Sequence, residues 1–409
     1  MKKKQYNILF WLILLYTWPF FSAWITLFAR SWFMLPLITL MSILFIQDYF
    51  KNRIFIRSVF FYLVIFLNFL FGSQIYDSII EVICAICLYI AVSALAFFYS
   101  KSNDVVHHKM IFFSTIFFIV FTTVASYFIN ESFPNIIRYS GSGDQDGDYR
   151  ILVTSLQRFG LSSFDIVHAL PILIPSLILG FKTQSLASWK RYSFLIIALV
   201  CVFQTYVSGS ATPLFLSILV LLSSIVLHVG SFRSNIIVFT IFVIVCVIIL
   251  SPEVLSSILS SFSSILGTDS GELQARIADV DEAVSTGNAD SGDMGLRMNH
   301  YQISLNAFYS NVLFGSRDIP LGGHSFILDT LGGYGLVGFI ALSSFVVAML
   351  KYIIKRISSN LTPFYVLSII AAVVMLATKN TGTWATWCFL FIISPVFIKY
   401  IDSISNTKA

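Results

Sequence analysis

Apolar runs long enough to cross a lipid bilayer recur along almost the whole of this 409-residue chain. A helix needs about 20 mostly apolar residues to cross the ~30 Å of hydrocarbon in a bilayer. Only 11% of the residues are charged and 57% are hydrophobic, whereas roughly 25% of the residues in an average soluble protein are charged. The sequence therefore predicts an all-α polytopic integral membrane protein, with residues 1–409 forming a single membrane domain.

The apolar runs predict twelve transmembrane helices. They cover residues 7–22, 31–47, 56–72, 80–99, 111–129, 166–181, 192–208, 211–229, 236–250, 324–349, 361–377 and 384–398. The first run is longer than the apolar core of a signal peptide, so we expect it to remain in the protein. The first two spans lie in one apolar stretch broken only around residues 22–31. One span with a re-entrant piece is the alternative there.

Lysine and arginine indicate the direction of each crossing, because cytoplasmic loops retain these residues. With the N-terminus inside, 17 of the 25 basic residues fall at cytoplasmic ends of the predicted spans and eight fall at outer ends. The outer eight are Arg30, Arg138, Arg150, Arg158, Arg276, Arg297, Arg317 and Lys379. The sequence therefore predicts that both termini are cytoplasmic.

The outer set also differs in kind, with seven arginines and one lysine against twelve lysines and five arginines inside. Arginine offers a planar fork of donors that stays charged and can bind a phosphate or a carboxylate through two contacts, whereas lysine is a point charge. Arginines can also hold loops together through carbonyls and acidic neighbours. For the group as a whole we favour binding of an anionic ligand.

Polar sequence is concentrated in two predicted extracytoplasmic loops, at 130–165 and 251–323. Long loops in a compact protein are often functional. In the second loop, apolar spacing predicts short amphipathic helices at 272–284 and 298–313, which can lie flat on the bilayer as a lid. The first loop contains an alternating aspartate stretch at 144–148. It lacks the closing ligands of a calcium loop, so we interpret it as a solvated turn.

The stretch from 295 to 338 contains the residues whose chemistry is most informative about function. His324 follows two glycines and is predicted to begin the tenth span. The dipole at a helix N-terminus disfavours a protonated histidine, which leaves it available as a base; capping of its own helix is the alternative. Asp329 enters the membrane five residues later, and carboxylates at such positions are functional candidates. The glycines that follow are expected to let another helix approach closely.

The order of motifs in this stretch resembles the superfamily of O-antigen ligases and Wzy-type O-antigen or capsule polymerases. Those proteins show an arginine, a helix ending in an nPlfG turn, an HN pair and a GliG sequence. The corresponding residues here are Arg297, Asn311 to Gly315, His324 with Ser325, and Gly335 to Gly338. Residues 208–212 also resemble the family's SgSRt, with Ala211 in place of the arginine, and Val312 replaces the turn proline.

The resemblance implies a GT-C-like fold in the broad sense and inverting transfer of sugar from a polyprenyl diphosphate at the outer face of the bacterial cytoplasmic membrane. It implies that the catalytic residues are His324, as general base, and Arg297, on the diphosphate. The absent arginine at position 211 favours a repeat-unit polymerase. It also suggests that Arg150 or Arg158 supplies the missing charge. Arg276, followed by ten residues and Gly287, fits an arginine–glycine spacing of such polymerase loops, which adds Arg276 to the residues expected to bind the diphosphate. Asp329 and Tyr301 are expected to support the site, the latter with a ring face for a sugar.

The scheme needs no metal and no cofactor. Its expected partners are undecaprenyl-diphosphate-linked oligosaccharide, membrane lipid and a chain-length regulator protein, with no nucleic acid. One alternative is an O-antigen ligase that transfers the finished glycan to lipid A core. An alternative of another class is a transporter or flippase for lipid-linked oligosaccharides.

Overall fold

The computed structural model describes residues 36, 39–40, 42–44, 46–71, 78–132, 164–208, 210–230, 232–249, 292–380, 382 and 384–406. All regular secondary structure in these ranges is helical. Several predicted features lie outside the described residues: the first span, about half of the second span, the loop helix at 272–284 and the aspartate-rich turn. Most of the two predicted outer loops also lies outside them.

The described helices follow one another along the chain. They are α1 (Gln47–Phe50), α2 (Arg53–Leu70), α3 (Ile79–Lys101), α4 (Val105–Ser132), α5 (Phe164–Lys182), α6 (Ser188–Val207), α7 (Ala211–Val226), α8 (Ile236–Ile249), α9 (Gly292–Ser310), α10 (Phe326–Ile354), α11 (Thr362–Thr378), α12 (Trp384–Cys388) and α13 (Ser394–Asn406). A 3-10 turn at Phe232–Asn235 precedes α8, and a π-helical segment at Phe389–Ile393 joins α12 to α13.

The helices confirm the predicted membrane class. Within the described residues, seven helical segments are long and apolar enough to cross a bilayer, and α7, α8 and α11 contain shorter apolar ones. Each predicted span from 56–72 onward falls on one of these helices. The chain is thus a multi-pass α-helical membrane protein.

Polar side chains fix several helix starts. Asn52 accepts a hydrogen bond from the Ile54 amide at 3.0 Å at the start of α2. Asp104 accepts from the Val106 and His107 amides at 3.0 and 3.3 Å at the start of α4. Burial acts to raise the pKa of Asp104, but the hydrogen bonds from His107 and Val106 outweigh it and hold that pKa below its ordinary value. Such caps satisfy amides that the first helical turn leaves free.

The apolar helices alternate in direction between two ends of a bundle. We call these the basic end, which carries Lys51, Lys101, Lys182, Lys351 and Lys399, and the histidine end, which carries His324, Thr378 and Lys379. At the basic end, the Lys399 amine donates to the Ser102 carbonyl at 3.0 Å. At the histidine end, the Phe326 amide donates to the Lys379 carbonyl at 3.2 Å. The two contacts tie together helix ends that are far apart in the sequence.

Helix α5 lies at the centre of the bundle, and 83% of its apolar span is buried. It packs against α6, α7, α11 and α13. The outer helices expose large apolar side chains, for example Phe60, Phe117 and Ile237. Because such a surface is unfavourable in water, it marks the part of the molecule that contacts lipid.

Candidate functional site

The candidate site lies at the histidine end, where α9, the loop 311–325 and the first turns of α10 pack together. The prediction that His324 begins the helix is wrong, because α10 begins at Phe326 with Ser325 as its N-cap. The Ser325 hydroxyl accepts from the Leu328 amide at 3.3 Å. Asparagine, usual at this position in the family that the sequence resembles, is an equally good cap. His324 is therefore a half-buried loop residue next to a capped helix start.

A glycine kink in α10 receives the turn that follows α9. Gly335 has φ +63° and ψ −166°, which interrupts the helix. The amides of Leu336 and Val337 donate to the carbonyls of Val312 and Leu313 at 2.9 and 3.1 Å. The kink thus fastens the turn at 311–315 onto α10, a role that the sequence analysis did not assign to this glycine.

A neighbouring glycine lets α9 approach α10. A Cβ on Gly332 would lie 2.8 Å from the Ser304 carbonyl oxygen of α9. The next residue, Gly333, accepts a hydrogen bond at its carbonyl from the Asn68 amide nitrogen of α2, at 2.8 Å. The close approach expected of the glycines is therefore present between α9 and α10.

Asp329 is the centre of a buried hydrogen-bond network. Its Oδ1 accepts from the Ser304 hydroxyl at 2.6 Å and from the Gly323 amide at 3.2 Å. The Ser304 oxygen in turn accepts from the Gly322 amide at 3.0 Å. Only 7% of Asp329 is exposed. The carboxylate therefore holds the glycine pair that immediately precedes His324.

A second histidine, His300 of α9, packs against His324. The two ring centroids are 4.3 Å apart and the rings are inclined at 46°. The buried Nδ1 of His300 has no hydrogen-bond partner among the described residues. His300 was not among the site residues predicted from the sequence. The available signal was its spacing of four residues from Ser304, which places both on one face of a helix.

A cleft of about 410 Å³ opens beside this network. Its polar lining comes from Asp329, Thr330 and Asn380, and its apolar walls include Phe61 of α2 and Tyr89 of α3. The cleft therefore extends from the loop at the histidine end into the space between α2, α3 and α10. A volume of this size lies in the range of small-molecule sites, about 300–1,000 Å³.

Only part of the predicted arginine set lies within the described residues. Arg297 is on α9, three residues before His300, but its side chain lies outside the description. Arg150, Arg158 and Arg276 lie outside the described residues altogether. Their diphosphate-binding role stays a prediction.

Tyr301 connects α9 to the end of α11. Its hydroxyl donates to the Thr378 carbonyl at 3.0 Å. This contact fixes α9 against the bundle and so supports the position of His300. On the same helix, Tyr309 is 68% exposed, which leaves a ring face open to a ligand. The predicted sugar-stacking role of Tyr301 stays a prediction.

The described site consists of two imidazoles and a carboxylate, groups that accept protons and hydrogen bonds. No three His, Cys, Asp or Glu side chains within the described ranges are grouped so that they could hold a metal ion. The five cysteines are free thiols that lie in α3, α6, α8 and α12. The arrangement can take a proton from a hydroxyl group at His324 and can orient polar substrate groups at Asp329.

No known protein family matches this chain, and no curated protein or solved structure matches it. The family resemblance therefore rests on the sequence motifs alone.

Proposed function

We propose that this protein is a glycosyltransferase of the bacterial cytoplasmic membrane that polymerises polysaccharide. It joins oligosaccharide repeat units, each carried on undecaprenyl diphosphate, into an O-antigen or a capsular polysaccharide. The observation that carries the proposal is the contact between His324 and His300, next to the loop that the buried Asp329 holds and beside a cleft between apolar helices. This arrangement suits a lipid-linked substrate, because its lipid tail can remain in the bilayer while its sugar meets the polar groups.

In this proposal the histidine end faces the extracytoplasmic side. The described lysines lie almost entirely at the basic end, and cytoplasmic ends of membrane helices retain basic residues. Both termini are then cytoplasmic, and twelve spans in a GT-C-like arrangement complete the fold. Because the donor is lipid-linked, the reaction needs no nucleotide on that side.

The proposed step is a direct displacement at the donor sugar. A hydroxyl oxygen of the acceptor repeat unit attacks C1 of the donor sugar, and a new glycosidic bond forms. The bond from C1 to the diphosphate oxygen breaks, the diphosphate leaves with the electron pair, and the hydroxyl proton passes to His324. Attack from the opposite face inverts the anomeric configuration. A well-placed general base typically contributes ~10²- to 10⁴-fold to the rate.

Charge develops on the leaving diphosphate, and preorganised cations there are usually the largest catalytic contribution. Arg297 precedes His300 by almost one turn of α9, which brings it to the same end of the bundle as the proposed base. We assign it to the diphosphate, with further contacts from Arg150, Arg158 and Arg276. The incoming acceptor is a second lipid-linked repeat unit, and a chain-length regulator is the proposed protein partner.

Two other functions use some of the same features. An O-antigen ligase would use the same donor and the same base, but Ala211 stands where the family it resembles has an arginine. A transporter typically places its substrate site near the membrane midplane. Here the two imidazoles and Asp329 lie near the end of the bundle. The polymerase accounts for both observations.

The test of the proposal is complementation of a strain that lacks the gene. Wild type, His324→Ala and Arg297→Ala are expressed at matched membrane levels, and surface polysaccharide is separated by chain length on a gel. His228→Ala is the matched control, because His228 is exposed at the basic end. We expect a full ladder from wild type and control, and a single repeat unit on the acceptor from the two site variants.

Two outcomes would reject the proposal. If no repeat unit reaches the acceptor in the strain that lacks the gene, the result indicates that the protein is a ligase or a flippase. If both site variants still make the full ladder, His324 and Arg297 are not catalytic.

A further inference from the structure

The cleft beside Asp329 combines aromatic walls with one buried charged group. Phe61 of α2, Tyr89 of α3, and Phe326 and Tyr334 of α10 all contribute to its lining. The rings of Phe61 and Tyr89 meet edge-on at a centroid distance of 5.2 Å. Three of these rings belong to the buried core and the partly buried ring of Phe326 packs against it, so the walls are part of the packed helices.

In the described part of the chain, one oxygen of the carboxylate in this cleft has no hydrogen-bond partner. Oδ1 of Asp329 is occupied by the Ser304 hydroxyl and the Gly323 amide. Oδ2 is buried and has no hydrogen-bond partner among the described residues. A buried polar atom without a partner is costly, by roughly 1–3 kcal/mol, and more if it is charged. The structure thus contains an acceptor that a ligand hydroxyl can satisfy.

This chemistry distinguishes between the two parts of a lipid-linked substrate. An isoprenoid tail has no hydrogen-bond donor, so it would leave Oδ2 of Asp329 buried against hydrocarbon. A sugar ring offers hydroxyl donors at its rim and carbon–hydrogen bonds on its face, which pack against aromatic rings. Asn380 adds an exposed amide at the cleft. The lining therefore fits a sugar better than a prenyl chain.

We propose that this cleft binds a sugar ring of the acceptor repeat unit, with Asp329 Oδ2 accepting a hydroxyl hydrogen bond and Phe326 packing against the ring face. The inference rests on the proposed function and names the acceptor subsite of the same reaction. Gly323, which donates to Asp329, is adjacent to His324 in the chain. Because Gly323 also lines the cleft, a sugar bound there lies next to the residue that precedes the proposed base.

The test measures binding and does not require turnover. The purified full chain is kept in detergent, and ligand-observed saturation-transfer NMR follows the binding of oligosaccharides released by mild acid from the surface polysaccharide of the source strain. Asp329→Asn keeps an oxygen for Ser304 and Gly323 but replaces the free acceptor with an amide donor. We expect it to weaken binding by at least about five-fold, since a charge-assisted hydrogen bond becomes a neutral one.

A second variant tests the aromatic wall without touching the carboxylate. Phe326→Leu keeps apolar volume but removes the ring face, and a loss of binding of at least about three-fold is expected. Asp318→Asn is the matched control, because Asp318 is exposed on the same loop. It should bind the oligosaccharides as wild type does.

Three results would overturn the inference: wild type that binds none of the oligosaccharides, unchanged affinity in both cleft variants, or displacement of the oligosaccharides by undecaprenyl phosphate at the cleft. Failure of the proposed function is a separate result. Suppose that the cleft variants lose sugar binding as expected but deletion of the gene leaves the polysaccharide ladder intact. The sugar-binding site is then supported, and the proposed polymerase function is rejected.

Discussion

His324 lies in a loop, so its orientation depends on the residues that hold that loop. Asp329 binds the Gly323 amide on one side of it, and the ring of His300 packs against its imidazole at 4.3 Å. A Cβ on Gly322 would lie 1.9 Å from the His300 carbonyl oxygen, so α9 and the loop are in direct contact. The geometry of the proposed base is thus determined by its neighbours in α9 and α10.

Two substitutions of His300 distinguish a packing role of its ring from a chemical role of its nitrogens. His300→Ala removes the ring that contacts His324, and we expect turnover to fall by about ten- to a hundred-fold, because small displacements of catalytic groups are costly. His300→Phe restores a ring of similar shape and should recover most of that loss. The measurement is the initial rate of repeat-unit polymerisation in membranes with matched protein levels. If the phenylalanine variant is as slow as the alanine variant, the nitrogens of His300 are needed and packing is not its main role.

At the scale of elements, α9, the turn that follows it and α10 form one interlocked unit. The turn at 311–315 binds to the amides released by the kink at Gly335. Tyr301 joins α9 to the end of α11. The Asn68 side chain of α2 donates to the Gly333 carbonyl of α10, so the unit is attached to the bundle at both α11 and α2.

Gly335→Ala should disrupt this unit. A Cβ at this position would lie 2.4 Å from the Leu313 carbonyl carbon, and φ is +63°. We expect a loss of at least about 2 kcal/mol of stability, seen as a drop of several degrees in the apparent Tm of the purified protein. Gly323→Ala is the comparison, because its φ is +75° but no atom lies within 4 Å of the added Cβ. Equal Tm values for Gly335→Ala and wild type would contradict this account of the kink.

The sequence predicted the elements better than their contacts. Membrane spans follow from apolar length alone, so the predicted spans from 56–72 onward fall on helices. The start of α10 was misplaced because a histidine after two glycines resembles a helix start, whereas Ser325 is the better cap. His300 was missed because its partner His324 is 24 residues away in the sequence. Its role comes from the folding of α9 back onto the loop, which no local pattern encodes.

At the scale of the whole molecule, the distribution of charge predicts orientation. Two cysteine variants test it in a background without the natural cysteines. Asp318→Cys is at the histidine end and Ser185→Cys is at the basic end, and both positions are exposed. A membrane-impermeant maleimide should label Asp318→Cys from outside in intact cells. It should label Ser185→Cys only after the cytoplasmic membrane is permeabilised. The reverse pattern would place the histidine end in the cytoplasm and contradict the proposed reaction site.

In the proposed function, this chain itself joins lipid-linked repeat units with His324 as the base. The most direct measurement is an assay of the purified protein in lipid nanodiscs, supplied only with undecaprenyl-diphosphate-linked repeat units and followed on a gel over time. We expect a growing ladder from the wild type and a rate at least about 10²-fold lower for His324→Ala. No ladder from folded wild-type protein, or an equal ladder from His324→Ala, would contradict the proposed function.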